Sequence, residues 1–151
     1  MPLLTILAWC SLAVAVGPVG SAAAAGIDLK QYQWQHRLLL LFAPSAEDPA
    51  YRALERELQE QPLGVQDRDL VVFHVLERGP SSVAGQEISP AAAQALRQRF
   101  AVRPGTCTVV LVGKDGGVKL QRTGQVALAD IFTLIDSMPM RQQERRRRNY
   151  Q

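Results

Sequence analysis

The sequence predicts an α/β fold with a mostly parallel central sheet and an antiparallel edge hairpin. Three observations carry this. The stretch "LLLLFAPSAEDPAYRALERELQ", Leu38 to Gln59, joins a continuous apolar run of strand length to an amphipathic helix through a short polar loop. "DLVVFHVL", Asp69 to Leu76, is a second such run, rich in β-branched and aromatic residues, and a helical segment separates the two. Asp115-Gly116 lies between two short β-type segments, which marks a tight hairpin.

The elements follow in order. Ile27 to Gln35 is a short amphipathic lead-in. Arg37 to Ala43 reads as a strand covered on both faces, because apolar residues do not alternate with polar ones. Asp48 followed by Pro49 gives an N-cap and a proline at the first helical position, and Ala50, Leu54 and Leu58 recur every four residues, so Pro49 to Gln61 is a helix. Pro62 and Gly64 end it, and Asp69 to Leu76 is the second strand. The polar "RGPSSVAGQEI" reads as a loop. Ser89-Pro90 repeats the capping signal before a helix from Ala91 to Phe100. Arg103, Pro104 and Gly105 break the chain, Thr106 to Val112 and Val118 to Arg122 form the hairpin, and Leu128, Ile131, Phe132 and Ile135 set the apolar face of a last helix closed by Met138-Pro139. The order is β-α-β-α-β-β-α, that of a thioredoxin-like domain.

A chain of 151 residues holds one domain with a proper core. Met1 to Ala25 contains no Lys, Arg, Asp or Glu; an apolar run from Leu3 to Val16 is followed by Gly17, Pro18 and a small-residue segment ending Ala23-x-Ala25. This is the layout of a signal peptide, so export to a periplasm or the extracellular space is expected. The run is shorter than the roughly 20 residues a membrane span needs, and Pro18 interrupts it. Cys10 lies inside the apolar core, so a lipoprotein reading fails. Once the leader is removed, Cys107 is the remaining cysteine and no intramolecular disulfide can form. Residues 26 to 140, the expected domain, carry 12 Lys/Arg and 13 Asp/Glu, whereas residues 141 to 151, the expected tail, carry five Arg and one Glu. The basic character belongs to that tail and does not argue for a specific nucleic-acid-binding domain.

Taken together, "QYQWQHRLLLLFAPSAEDP", "DRDLVVF", "LRQRFAV", "VVLVGKDGGVKL" and "IDSMPMRQQE" resemble the DUF4174 family, a domain of unknown function in exported bacterial proteins and in animal sushi-repeat and coiled-coil-named matrix proteins. The resemblance covers about residues 27 to 146. It implies a thioredoxin-like or peroxiredoxin-like fold, secretion, no established catalytic activity and no cofactor. The family's recurrent positions fall on Trp34, Arg37, Lys114, Asp115, Gly116, Lys119, Asp136, Met138, Pro139 and Arg141, expected to define the fold first.

In thioredoxin-type proteins the reactive cysteines sit where the first strand meets its helix. Here that junction holds Pro44, Ser45, Glu47 and Asp48 and no thiol. Ser45 and Asp48 are expected to cap the helix, and no nearby histidine supports a hydrolytic triad. Cys107 is the one candidate nucleophile. A peroxidatic role needs a depressed pKa and solvent access, and Arg103 is close in sequence. As part of "TCTVVLV" it is instead a small core residue, which is the expected role. Thr108, one residue on, falls about where thioredoxins place a cis-proline. "GKDGG" is not a phosphate loop, since no Ser or Thr follows Lys114 and the segment turns back as a hairpin. His36 and His74 have no metal-ligand spacing, so no metal is expected.

These residues predict a non-catalytic binding or scaffold module, with an unknown protein or extracellular ligand docking on Pro44, Ser45, Glu47, Asp48 and Arg103. The alternative is a one-cysteine peroxidase or oxidoreductase using Cys107 with an outside thiol as reductant. Arg145, Arg146, Arg147 and Arg148 are expected to make salt-sensitive contact with anionic surfaces.

Overall fold

The computed structural model describes residues 26–150; the expected signal peptide lies outside the described residues. After a single turn of 3-10 helix, Leu29–Tyr32, the elements are β1 (Arg37–Ser45), α1 (Pro49–Glu60), α2 (Pro62–Asp67), β2 (Leu70–Arg78), β3 (Ser81–Val83), β4 (Gln86–Ile88), α3 (Pro90–Arg99), β5 (Thr108–Val112), β6 (Val118–Thr123), α4 (Leu128–Ser137) and α5 (Pro139–Asn149). One six-stranded sheet runs in the order β4-β3-β2-β1-β5-β6.

The continuous apolar run of β1 is explained by its central place. Leu39, Leu41 and Ala43 face one core with Tyr51, Leu54 and Leu58 of α1 and Leu128, Ile131, Phe132 and Ile135 of α4. Leu38, Leu40 and Phe42 face a second core with Leu29, Ala93, Leu96 and Phe100. Each buried side chain of this size stabilises the fold by roughly 1.5–3 kcal/mol, so the two faces hold the sheet between α1 and α4 on one side and α3 on the other.

The thioredoxin-like α/β class holds, but the expected mostly parallel pairing reduces to β1 with β2. The pairs β1–β5, β2–β3, β3–β4 and β5–β6 are antiparallel. The reason lies in the "RGPSSVAGQEI" stretch, which is a hairpin and not only a loop. Ala84 (φ 48°) and Gly85 (φ 80°) take the left-handed conformations of its two-residue turn. Phe42 of β1 is level with both Val75 of β2 and Thr108 of β5. The hairpin returns Ile88 to the start of β3 at that same end of the sheet. The segment from Ile88 through α3 to Thr108 starts and finishes at that end, so β5 must run back against β1.

The helices differ from expectation at three points. Pro62 ends α1 and also starts α2, as a proline at the first helical position does. Gly64 of α2 lies so near Phe132 that an added Cβ would stand 2.7 Å from its Cε2. Met138-Pro139 closes α4 but opens α5 (Pro139–Asn149), so the arginine-rich stretch begins inside the domain: Arg141 is 2% exposed and belongs to its body.

Candidate functional site at the two ends of the sheet

At the carboxyl end of β1, the Asp48 carboxylate accepts from the Ala50 and Tyr51 N–H groups at 3.0 Å each, the expected cap. Ser45 takes part through its backbone, its carbonyl accepting from Asp48 N–H at 3.3 Å, and not through its hydroxyl as expected. Pro44 and Ser45 are half-buried and Glu47 is exposed. Arg103 is exposed, and its carbonyl accepts from the Thr106 hydroxyl at 2.7 Å. Gly105 N–H of the same loop donates to Glu77 at 2.7 Å, which ties the loop to the end of β2.

Cys107 is 7% exposed and packs in the core with Tyr51 and Ala43. Burial, and then the Asp48 carboxylate to which the thiol donates, push its pKa up to about 11. Only about one molecule in ten thousand then carries a thiolate at pH 7. Arg103 is not among the groups that move it. Beside it, the Tyr51 hydroxyl lies 2.8 Å from His74 Nδ1 and 3.4 Å from Glu55 Oε1. Burial, then Glu55, raise the tyrosine pKa; burial lowers that of His74 against the pull of Glu55. Thiol, phenol and imidazole are all kept neutral here. The arrangement suits packing and leaves no activated nucleophile.

The amino end of β1 is built in the opposite way. Arg37, 1% exposed, grips Glu144 of α5 with both terminal nitrogens at 3.2 Å and donates to the Arg68 carbonyl at 2.9 Å. Lys114, from the hairpin between β5 and β6, reaches Asp69 at 2.8 Å and Glu144 at 2.7 Å. Arg68 donates to Asp136 at 2.6 Å and stacks 4.0 Å over the Phe132 ring. Arg141 donates to Asp136 at 3.1 Å and to the Asp67 carbonyl at 2.7 Å, and pairs with the Asp67 carboxylate, which Arg148 also meets. Burial on its own would raise the pKa of Glu144, but Lys114 and Arg37 hold it below its usual value; Arg68 and Arg141 do the same for Asp136.

The positions that the family resemblance singles out converge on this end. Trp34 takes a left-handed backbone (φ 69°), and its N–H donates to the Lys114 carbonyl at 2.6 Å. Gln33 donates to the Asp115 carbonyl, Lys119 pairs with the Asp115 carboxylate at 2.7 Å, and Gly116 (φ 83°) turns the hairpin. An open cleft of ≈ 530 Å³ lies beside them, lined by Arg37, Lys114, Lys119, Leu134, Met138 and Met140 among others. Sequence reasoning missed Asp67, Arg68, Asp69 and Glu144 here and the Tyr51–His74 pair at the other end. The alternating charges of "QDRDL" were the one local signal. Among the described residues no group of three or more His, Cys, Asp or Glu side chains is placed to hold a metal ion.

A family model described as a domain of unknown function, DUF4174, matches residues 28–144. The chain is 31% identical to coiled-coil domain-containing protein 80 of Danio rerio over 132 residues, covering 77% of this chain and 15% of that protein. It is 30% identical to the sushi repeat-containing protein SRPX of Homo sapiens over 129 residues, covering 83% of this chain and 28% of that one. The chain thus spans a minor part of these relatives. Among solved structures, a reduced 2-Cys peroxiredoxin of Plasmodium vivax superposes with a TM-score of 0.59 at 14% identity, over 78% of this chain and 85% of the other. A thioredoxin peroxidase I of Plasmodium yoelii gives 0.58 at 15% identity, over 78% and 80%. At such identities the likeness shows a shared fold alone.

Proposed function

The chain belongs to the DUF4174 family, and from that premise we propose that it is an exported, non-catalytic binding module, a thioredoxin-like scaffold whose former reaction end now serves as a docking face. The observation that carries this reading is the state of Cys107. A thiol that is buried, uncharged at neutral pH and hydrogen-bonded to a carboxylate has neither the access nor the thiolate character that peroxide reduction needs. The charge-free, apolar first 25 residues support export.

The docking face comprises the Pro44 to Asp48 loop and the loop that carries Arg103. Asp48 is committed to its cap and to Cys107, whereas Glu47 and Arg103 are exposed and make no ion pair among the described residues. They offer one charge of each sign to a protein or extracellular ligand, at the end of an open α/β sheet where ligands commonly bind. Titration of the native protein with a chromogenic disulfide reagent tests the reading. Labelling that waits for denaturant, with no hydroperoxide consumed, is the expected result. Rapid labelling of the folded protein together with thiol-dependent peroxide turnover overturns it in favour of the one-cysteine peroxidase.

A further inference from the structure

The C-terminal helix divides its arginines between two tasks. Arg141, Glu144 and Arg148, spaced i, i+3 and i+7, form one stripe and are taken up by Asp67, Asp136, Arg37 and Lys114. Arg145, Arg146 and Arg147 are exposed and make no ion pair among the described residues. Glu144, the one acid on α5, is turned inward and bound by two cations from elsewhere in the fold, so it does not neutralise them.

We propose that this outward face is a binding site for an anionic polysaccharide, a sugar chain carrying sulfate or carboxylate groups along its length. Three features choose that class. Gln142, Arg145, Arg146 and Asn149 line a shallow groove of ≈ 340 Å³ above Asp136. Asp136 has both oxygens occupied by Arg68 and Arg141, so the groove presents side-chain donors to an anion. Of the exposed large apolar groups on this helix, Met140 sits in its first turn at 36% exposure, away from the groove, and Tyr150 stands at its far end at 90%. One ring is enough to lie against a sugar and too little to seat a helix in a bilayer. The helix is 11 residues long, about 16 Å, and the body behind it, residues 26 to 140, carries 13 acidic against 12 basic residues. A flexible chain can follow this footprint, while a rigid duplex extending past it meets a body with no net positive charge.

The test is retention of the purified protein on immobilised heparin across a salt series, with phosphatidylserine vesicles and a short DNA duplex as parallel arms. Salt-sensitive retention on heparin is expected, with weaker binding to vesicles and duplex. Joint replacement Arg145→Gln, Arg146→Gln and Arg147→Gln weakens heparin binding by about tenfold and flattens its salt dependence, while the thermal midpoint stays put. Arg148→Gln does the reverse, lowering the midpoint with little change in retention. No retention, retention unchanged by the triple replacement, or tighter binding to vesicles or duplex each overturns the proposal.

Discussion

The two ends of β1 both bury ionisable groups and treat them in opposite ways. At the carboxyl end Cys107, Tyr51 and His74 escape the cost of desolvation by staying neutral and sharing hydrogen bonds. At the amino end Arg37, Lys114, Arg141, Glu144 and Asp136 remain charged and meet the same cost with opposite charges and short contacts. The difference teaches where the fold has been fixed. A buried neutral group tolerates replacement by another of its size, whereas a buried ion left without its partner carries the full penalty. The positions that the family resemblance singles out lie at the charged end.

The sharpest way to break this comparison is Arg37→Ala, which leaves Glu144 with less counter-charge and empties a fully buried volume. A loss of about 3–5 kcal/mol in urea unfolding is expected; a loss below about 1 kcal/mol would show that the network is ornamental. The double replacement Arg37→Met with Glu144→Leu should recover most of the deficit, because it removes both charges together.

Titration sharpens the comparison next, because the two ends fail at opposite pH. Glu144 and Asp136 have folded pKa values below their unfolded ones. Their contribution is complete above the unfolded values near 4 and is lost as pH falls through the folded ones. His74, also lowered, adds a milder acid loss that begins below about 6.5. Cys107 and Tyr51 are raised, so their contribution is complete below the unfolded values and disappears as pH rises, for Cys107 between about 8.5 and about 11. Stability measured against pH should form a dome, with Glu144→Gln easing the acid limb and Cys107→Val the alkaline one. A dome unmoved by either variant breaks the assignment. The smallest effect is that of Cys107→Val at neutral pH, within about 1 kcal/mol of the parent by thermal unfolding, since a small apolar group replaces one that behaves as such.

Much of the fold was legible in local signals. Asp48-Pro49 and Ser89-Pro90 do start helices, Asp115-Gly116 does turn a hairpin, and the spacing of Leu128, Ile131, Phe132 and Ile135 does face a core. Three things escaped. The strands β3 and β4 are three residues each, too short for an alternation to show, and Ala84-Gly85 is a weak turn signal. The helix α5 has no apolar stripe because the stripe it buries is charged. The network itself joins residues from β1, the α2–β2 turn, the β5–β6 hairpin, α4 and α5, and no spacing rule reaches so far. At the other end, the sequence offered Asp48 as a helix cap and Cys107 as a core residue, but the carboxylate that raises the thiol's pKa is the same Asp48 that caps α1, a double use invisible before the helix is folded.

The bond between Arg37 and Glu144 spans 107 positions. On a ribosome, the strand that carries the guanidinium emerges well before its acid. Until α5 has been made, one end of the sheet holds cations whose burial is not offset, and the domain cannot lock. A ribosome-bound chain therefore stays open at this end of the sheet until α5 joins it.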